Sequence, residues 1–324
     1  VTAQSRIGLG CMALTGVYGH VDRREAVRIV RRGLDLGVTH FDTADLYGPY
    51  VNEELLGDAL GADTHRVSIA TKFGYDFYAN ATREGHTERP QNFTPEFIRY
   101  ACEQSLTRLD TDYIDLYQLH NPRIDTLEHD EVFDTLDDLV KEGKIRYYGA
   151  ALGPDIGWFE EGEASMEERK VCSIQIIYSI MEQDPAKHFM RLAEENEVGL
   201  LSRVPHASNT LTGEFDAGLP TFDADDHRAH RKNEWLEEAM RKVARVRFLV
   251  QEDTRTMAQS AIQFVLKQPS IISVLPNFTN LSELKEYTSA LETPEISDEE
   301  QAKLDELWEH GFDISEPEPQ FREI

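Results

Sequence analysis

Asp42, Tyr47, Lys72 and His120 are side chains of the types that move protons on and off oxygen, and each stands at or just past the end of an apolar run. Asp42 closes "VTHFDTA", with Tyr47 five residues on in "DLYG"; Lys72 lies in "IATKFG" and His120 in "LYQLHNP". A tyrosine hydroxyl, with a pKa near ~10, gives up its proton reluctantly at neutral pH, but a neighbouring ammonium favours the phenolate and brings it toward the working range. Lys72 can supply that ammonium. Once buried, the ammonium tends to lose its own proton unless a carboxylate holds it, and Asp42 is the candidate partner. His120 would orient a carbonyl oxygen and share the proton load. The four make sense as a device that protonates or deprotonates an oxygen while something else moves a hydride. Gln175 in "SIQIIYS", Arg203 in "LSRVP" and Asn277 in "LPN" end three further runs.

The elements that must position them are legible as period and punctuation. Eight β-like runs, "RIGLGCM", "VTHFDTA", "VSIATKFG", "YIDLYQLH", "IRYYGAA", "CSIQIIYS", "GLLSRVP" and "IISVLPN", are rich in Ile, Val, Leu and Tyr with little alternation, as in parallel strands covered on both faces. Helical stretches separate them. "DRREAVRIVRRGLDLG" offers Asp22 as N-cap, Val27, Val30 and Leu34 on one face, and Gly37 as its end. Thr94 with Pro95 starts another helix, and Ser297 with Glu300 has capping-box spacing before Gly311. Strand and helix alternating eight times without a linker predicts one closed (β/α)8 TIM barrel over residues 1–312, with 313–324 a mobile tail; an open doubly wound sheet is the competing fold. In a barrel all the strand ends named above share the carboxyl-terminal rim, where such enzymes build their sites. Two connections are long, 73–93 and about 205–233, lengths usual for functional lids or insertions. Phe73, Tyr75, Phe77 and Tyr78 in the first could wall an apolar pocket or pack the lid down.

The composition, 40% hydrophobic and 29% charged in 324 residues, is that of a soluble globular chain. Its 60 acidic against 33 basic residues give a formal charge of −27, which repels nucleic-acid backbones and anionic lipid and fits a high-salt cytoplasm. Cys11, Cys102 and Cys172 are far apart and read as small buried hydrophobes. The first residues lack signal-peptide character and no run approaches ~18 apolar residues, so the expectation is a cytoplasmic protein without a membrane span. "GLGCMA" matches a dinucleotide-binding pattern, but Gly16 and Gly19 interrupt the residues after it and helical spacing resumes only after Asp22, so the helix that mechanism requires is missing. His227, His230 and Glu234 have spacings a metal could use, yet lie in an acidic segment with no evident supporting shell; no metal is expected.

The sequence resembles the aldo-keto reductases from about Arg6 to Leu291, through "GLGCMAL", "FDTADLYG", "IATKFG", "SLTRLDTDYIDLYQLHNP", "LVKEGKIRYYG", "QIIYSI" and "RVPHASNTLTG" in order. The resemblance implies a (β/α)8 barrel, a nicotinamide cofactor (NADP, with NAD the competitor), no metal, and a Tyr-Lys-Asp-His tetrad acting on a small carbonyl or alcohol. Tyr47 would be the general acid and base, Lys72 and Asp42 its tuning pair, and His120 the substrate orienter. Gln175 would meet the nicotinamide carboxamide and Arg203 the nicotinamide face. Pro205, Ala207 and Thr212 would pass the pyrophosphate, and Asn277, Thr279 and Glu283 would meet the adenosine end. Two departures stand out. Ala151-Leu152 replaces a frequent Ser-Asn, and "NFTN" at 277–280 lacks the Arg that would pair a 2′-phosphate, while Glu283 would oppose it.

Singly, each residue has a structural explanation: Asp42 as a cap, Tyr47 as rim packing, Lys72 in a surface pair, His120 as a satisfied core histidine, Gln175 bonding backbone, Arg203 in a rim ion pair, and Tyr178 as core. Taken together in order, they favour an oxidoreductase. The rival readings are a slow-turnover nicotinamide-binding redox sensor of the channel-subunit kind and an NAD-linked sugar or polyol dehydrogenase.

Overall fold

All eight apolar runs contribute strands in the computed structural model, which describes residues 4–78, 88–153, 158–216, 218–222, 226–230 and 233–314. The strands are β1 (Leu9–Gly10), β2 (His40–Asp42), β3 (Ser68–Phe73), β4 (Ile114–His120), β5 (Ile145–Ala151), β6 (Ser173–Ile177), β7 (Gly199–Arg203) and β8 (Ile271–Leu275). Each pairs in parallel with the next in sequence order. Bridges Ile7↔Val274 and Gly10↔Asn277 bring the first segment against the last, with Gly8 N–H donating to Val274 O at 2.8 Å and Gly10 N–H to Pro276 O at 3.0 Å. The sheet thus curls into the expected (β/α)8 barrel, and the open doubly wound alternative is excluded.

Register decides which side chains point inward, because residues paired across parallel strands share a face. Asp42 pairs with Ala70, Lys72 with Gln118, His120 with Ala151, Ala151 with Gln175, and Gln175 with Leu201. Ala70, Leu116, Leu201 and Leu275 form a small apolar cluster of their own, while Phe41, Ile69, Tyr117 and Ile174 of the opposite face join the main core. Strands β5 and β6 come close together at Gly149 of β5. A Cβ there would stand 2.5 Å from Ser173 Oγ and 2.7 Å from Ser173 O, so only glycine lets β5 and β6 approach this closely.

Helices cover the outer face: α1 (Arg23–Asp35), α2 (Val51–Leu60), α3 (Pro95–Leu109), α4 (Ile124–Glu128), α5 (Asp130–Lys141), α6 (Phe159–Glu163), α7 (Ala186–Glu195), α8 (Asn233–Val246), α9 (Met257–Leu266), α10 (Leu281–Thr288) and α11 (Asp298–Glu309). The expected caps are present. Asp22 accepts from Arg24 N–H at α1, Thr94 from Phe97 N–H at α3, and Ser297 and Glu300 form a capping box at α11. The buried stripe of α1 is Ala26, Ile29, Val30 and Gly33, with Val27 and Leu34 only flanking it. Cys11 and Cys102 are buried as expected, but Cys172 is exposed: it sits just before β6, at the barrel end away from the strand-end cluster. "GLGCMA" runs from β1 into a short turn, Cys11–Thr15, and the first α-helix begins only at Arg23, so no dinucleotide-binding helix starts at the glycines. Of the tail, residues 315–324 lie outside the described residues, as do parts of both long connections and the side chains of His227 and His230.

Candidate active site

Because β2 and β3 are neighbours, the ends of both strands deliver charge to one point. Lys72 Nζ donates to Asp42 Oδ2 at 2.6 Å and to Thr43 O at 2.8 Å, and the two side chains are only 1% and 6% exposed. Asp42 Oδ1 accepts from Gln118 Nε2 at 3.1 Å and Gln175 Nε2 at 2.7 Å. The carboxylate is therefore held from β3, β4 and β6 at once, which is what a charge removed from water requires. Burial acts to lower the pKa of Lys72, but the Asp42 carboxylate and then Tyr47 outweigh it, and the group ends above the ordinary lysine value, firmly cationic.

Tyr47 reaches this ammonium from the loop after β2, its ring centroid 5.0 Å from Lys72 Nζ. Asn52 of α2 sets the loop. It accepts from Thr43 Oγ1 at 2.7 Å and donates to Cys11 O at 2.8 Å, while its own N–H meets Tyr47 O at 3.3 Å. Gly48, next to Tyr47, has φ +55°, and a side chain there would press on Thr15. Under the loop, Arg108 pairs with Glu53 at 2.7 Å and Thr71 donates to Glu53 at 2.6 Å. Burial and then Glu53 push the neighbouring Asp45 carboxyl well above the carboxylate range.

His120 closes the group from β4, its ring edge-on to Tyr47 at 6.1 Å and to Tyr75 at 5.1 Å between centroids. Burial, reinforced by Lys72 and Arg203, holds its pKa well below 6.5, so the imidazole is neutral. Tyr75 is fixed in turn by Asn121 Nδ2, which donates to its hydroxyl at 2.8 Å, and by a hydroxyl donation to Glu88 at 2.8 Å. Trp158 covers Gly153 so closely that a Cβ would lie 1.8 Å from the indole, and Arg123 stacks on that indole at 4.3 Å.

Arg203 stands beside this cluster, donating to the backbone oxygen of Leu152 at 2.8 Å. In the loop after β7, Pro205 and Ala207 are buried, Ala207 to Asn209 are all left-handed (φ 48°, 57° and 70°), and Thr212 Oγ1 donates to Asn209 O at 2.8 Å. Asn277 bridges to Gly10 at the barrel seam. Thr279 and Glu283 meet at the start of α10, where Glu283 Oε2 accepts Thr279 N–H at 2.7 Å. The predicted residues thus fall into two groups, one around Asp42 and one at α10, with the β7 loop adding Glu214, whose charge acts on Glu283.

Gln118 and Asn52 were not among the expected site residues, and Tyr75 was expected only as a wall of an apolar pocket or as lid packing. Gln118 precedes His120 by two, the spacing that puts both on one face of a strand, and that was the available signal. The side-chain oxygens of Gln118 and Gln175 and the Nδ1 of His120 are buried with no hydrogen-bond partner among the described residues. A buried acceptor without a donor is costly. The amide N–H groups of a nicotinamide carboxamide are donors of the right kind for the Gln175 oxygen, so the residues fit that group. Among the described residues no three His, Cys, Asp or Glu side chains are grouped to hold a metal, and no helix is long and apolar enough to cross a membrane.

A parallel (β/α)8 barrel with titratable side chains gathered at the carboxyl ends of its strands is the architecture of a barrel enzyme. The aldo/keto reductase family profile matches residues 6–309, and the chain belongs to that family, whose members are NAD(P)-dependent oxidoreductases. It is 30% identical over 299 residues to the uncharacterized oxidoreductase YqkF of Bacillus subtilis (strain 168), covering 91% of this chain and 90% of that one. Among solved structures, the aldo-keto reductase AKR11C1 from Bacillus halodurans (holo form) superposes with a TM-score of 0.74 at 29% identity, over 94% of this chain and 92% of that chain. The glycerol dehydrogenase AKR11B4 from Gluconobacter oxydans superposes with a TM-score of 0.81 at 26% identity, over 97% and 95% of the two chains.

Proposed function

We propose that the protein is a cytoplasmic NAD(P)H-dependent reductase of small aldehydes and ketones, able to run in reverse on the alcohols, with Tyr47 as general acid. The observation that carries this is the buried Lys72–Asp42 pair with the Tyr47 phenol against its ammonium. Gln175, Arg203, Pro205, Ala207, Thr212, Asn277, Thr279 and Glu283 would hold the cofactor. When bound there, a reduced nicotinamide would supply the hydride.

Tyr47 Oη gives its proton to the carbonyl oxygen as that oxygen becomes an alkoxide, so the product is the alcohol and the phenolate is left beside Lys72. The ammonium stabilises that phenolate, because the two charges meet where water does not screen them. Asp42 keeps Lys72 cationic, and the two glutamine amides hold the Asp42 carboxylate in place by donating to it. His120, held neutral, serves as a hydrogen-bonding group to the carbonyl oxygen. The edge-on Tyr75 ring fixes the imidazole plane.

A polyol dehydrogenase working in the oxidative direction is the second reading, favoured by the likeness to a glycerol dehydrogenase. The slow redox sensor lacks a specific observation in its favour. To test the main reading, the protein is mixed with NADH or NADPH and a panel of aliphatic and aromatic aldehydes, and absorbance of the reduced nicotinamide is followed. Multiple turnovers with at least one aldehyde are expected. Oxidation of glycerol or related polyols with no aldehyde reduction would favour the second reading, and a single turnover at most would favour the sensor.

A further inference from the structure

In barrels of this kind, phosphate groups are commonly held where the loops after the seventh and eighth strands meet the amino terminus of the next helix, whose free N–H groups and dipole suit an anion. That place is here the segment 277–283 entering α10, facing the loop after β7. Three of its N–H donors, those of Thr279, Ser282 and Glu283, are already taken by the chain's own side chains. The Asn280 side chain accepts from the N–H groups of Ser282 at 2.9 Å and Glu283 at 3.0 Å, and the Glu283 carboxylate accepts Thr279 N–H at 2.7 Å and Thr279 Oγ1–H at 3.0 Å.

The Glu283 carboxylate therefore stands where an external anion would seek its hydrogen bonds. A second carboxylate, Glu214 of the β7 loop, is close enough to act on it electrostatically. Arg228, the cation that pairs with Glu214, is shared between Glu214 at 3.5 Å and Asp226 at 2.8 Å, so its charge is already engaged. A phosphate monoester, which carries about −1.5 to −2 at neutral pH, meets both repulsion and a shortage of donors here. A ribose hydroxyl is itself a donor, and a carboxylate is the acceptor that recognises it.

We infer that Glu283 is a specificity residue that makes this protein select NADH over NADPH, by accepting a hydrogen bond from the adenosine ribose and excluding a 2′-phosphate. This rests on the reductase reading above and on the adenosine end of the cofactor lying at α10.

The test is a fluorescence titration of the full-length chain with NADH and with NADPH, and a competition of bound NADH by 5′-ADP and by 2′,5′-ADP. NADH is expected to bind at least about tenfold more tightly than NADPH, and 5′-ADP to compete better than 2′,5′-ADP. Raising potassium chloride from ~0.05 to ~0.5 M should narrow the gap, because the repulsion is screened. Glu283→Gln, which keeps an oxygen for Thr279 but removes the charge, should tighten NADPH and weaken NADH, so that the ratio of the two affinities shifts toward NADPH by at least about tenfold. NADPH binding as well as NADH in the unmodified chain overturns the inference and leaves the reductase reading standing. A preference for NADH that Glu283→Gln leaves unchanged, in a variant with native circular dichroism, also overturns it. Failure of both nicotinamides to bind overturns this inference and the reductase reading together.

Discussion

At the scale of single residues, the proposed chemistry rests on a buried ion pair that is expensive to assemble and more expensive to break. Replacing Asp42 by Asn leaves the Lys72 ammonium, 1% exposed, without its counter-charge. The variant is expected to lose about 3–5 kcal/mol of stability in urea unfolding, and a cost under about 1 kcal/mol would show that the pair is not a buried charge pair. His120 makes a separate prediction. Burial and two neighbouring cations keep its imidazole neutral well below pH 6.5, so kcat/KM should show no ionisation limb near 6.5 that disappears in His120→Gln. The appearance of such a limb would mean that His120 titrates in the working enzyme.

Secondary-structure elements bring these residues together through register, and register was only partly legible in the sequence. The eight apolar runs and the main caps could be read because burial on both faces and N-cap chemistry leave local signatures, as at Asp22, Thr94 and Ser297. The grouping of Asp42, Lys72 and His120 at strand ends was legible for the same reason. Gln118 was legible only as sharing a strand face with His120; that it holds Asp42 comes from the pairing Lys72↔Gln118, which residue spacing does not encode. Asn52 was equally hidden, since its role comes from contacts with Thr43 and Cys11, 9 and 41 residues away. The exposure of Cys172 also depends on tertiary position, which its residue type does not encode. The β5–β6 contact gives a test at this scale. Gly149→Ala forces a methyl against Ser173 and should cost about 1–3 kcal/mol in thermal or urea unfolding, whereas a neutral effect would mean the strands can separate freely.

The whole molecule carries a formal charge of −27, and this bears on both stability and ligand choice. Like charges destabilise the compact state, and the repulsion reaches ~10 Å at 0.1 M salt but only ~3 Å at 1 M. The melting temperature should therefore climb as potassium chloride is raised over that range. Many surface pairs, such as Arg191 with Glu195 and Arg66 with Asp63, are weakened by the same salt, but the 27 unmatched negative charges set the sign. A melting temperature that stays flat or falls would count against this balance. The same field disfavours anionic ligands except where local cations such as Arg203 and Arg123 stand at the barrel mouth.

The central claim is that the Tyr47 phenol, beside an ammonium fixed by Asp42, gives the substrate its proton. Its most direct test is the single-turnover rate of Tyr47→Phe preloaded with reduced nicotinamide, compared with the unmodified protein on the same aldehyde. Cofactor affinity should change by less than about threefold while the rate of nicotinamide oxidation falls by about 10²–10⁴-fold. A variant that reduces the aldehyde at the unmodified rate would contradict the assignment of Tyr47 as the proton donor.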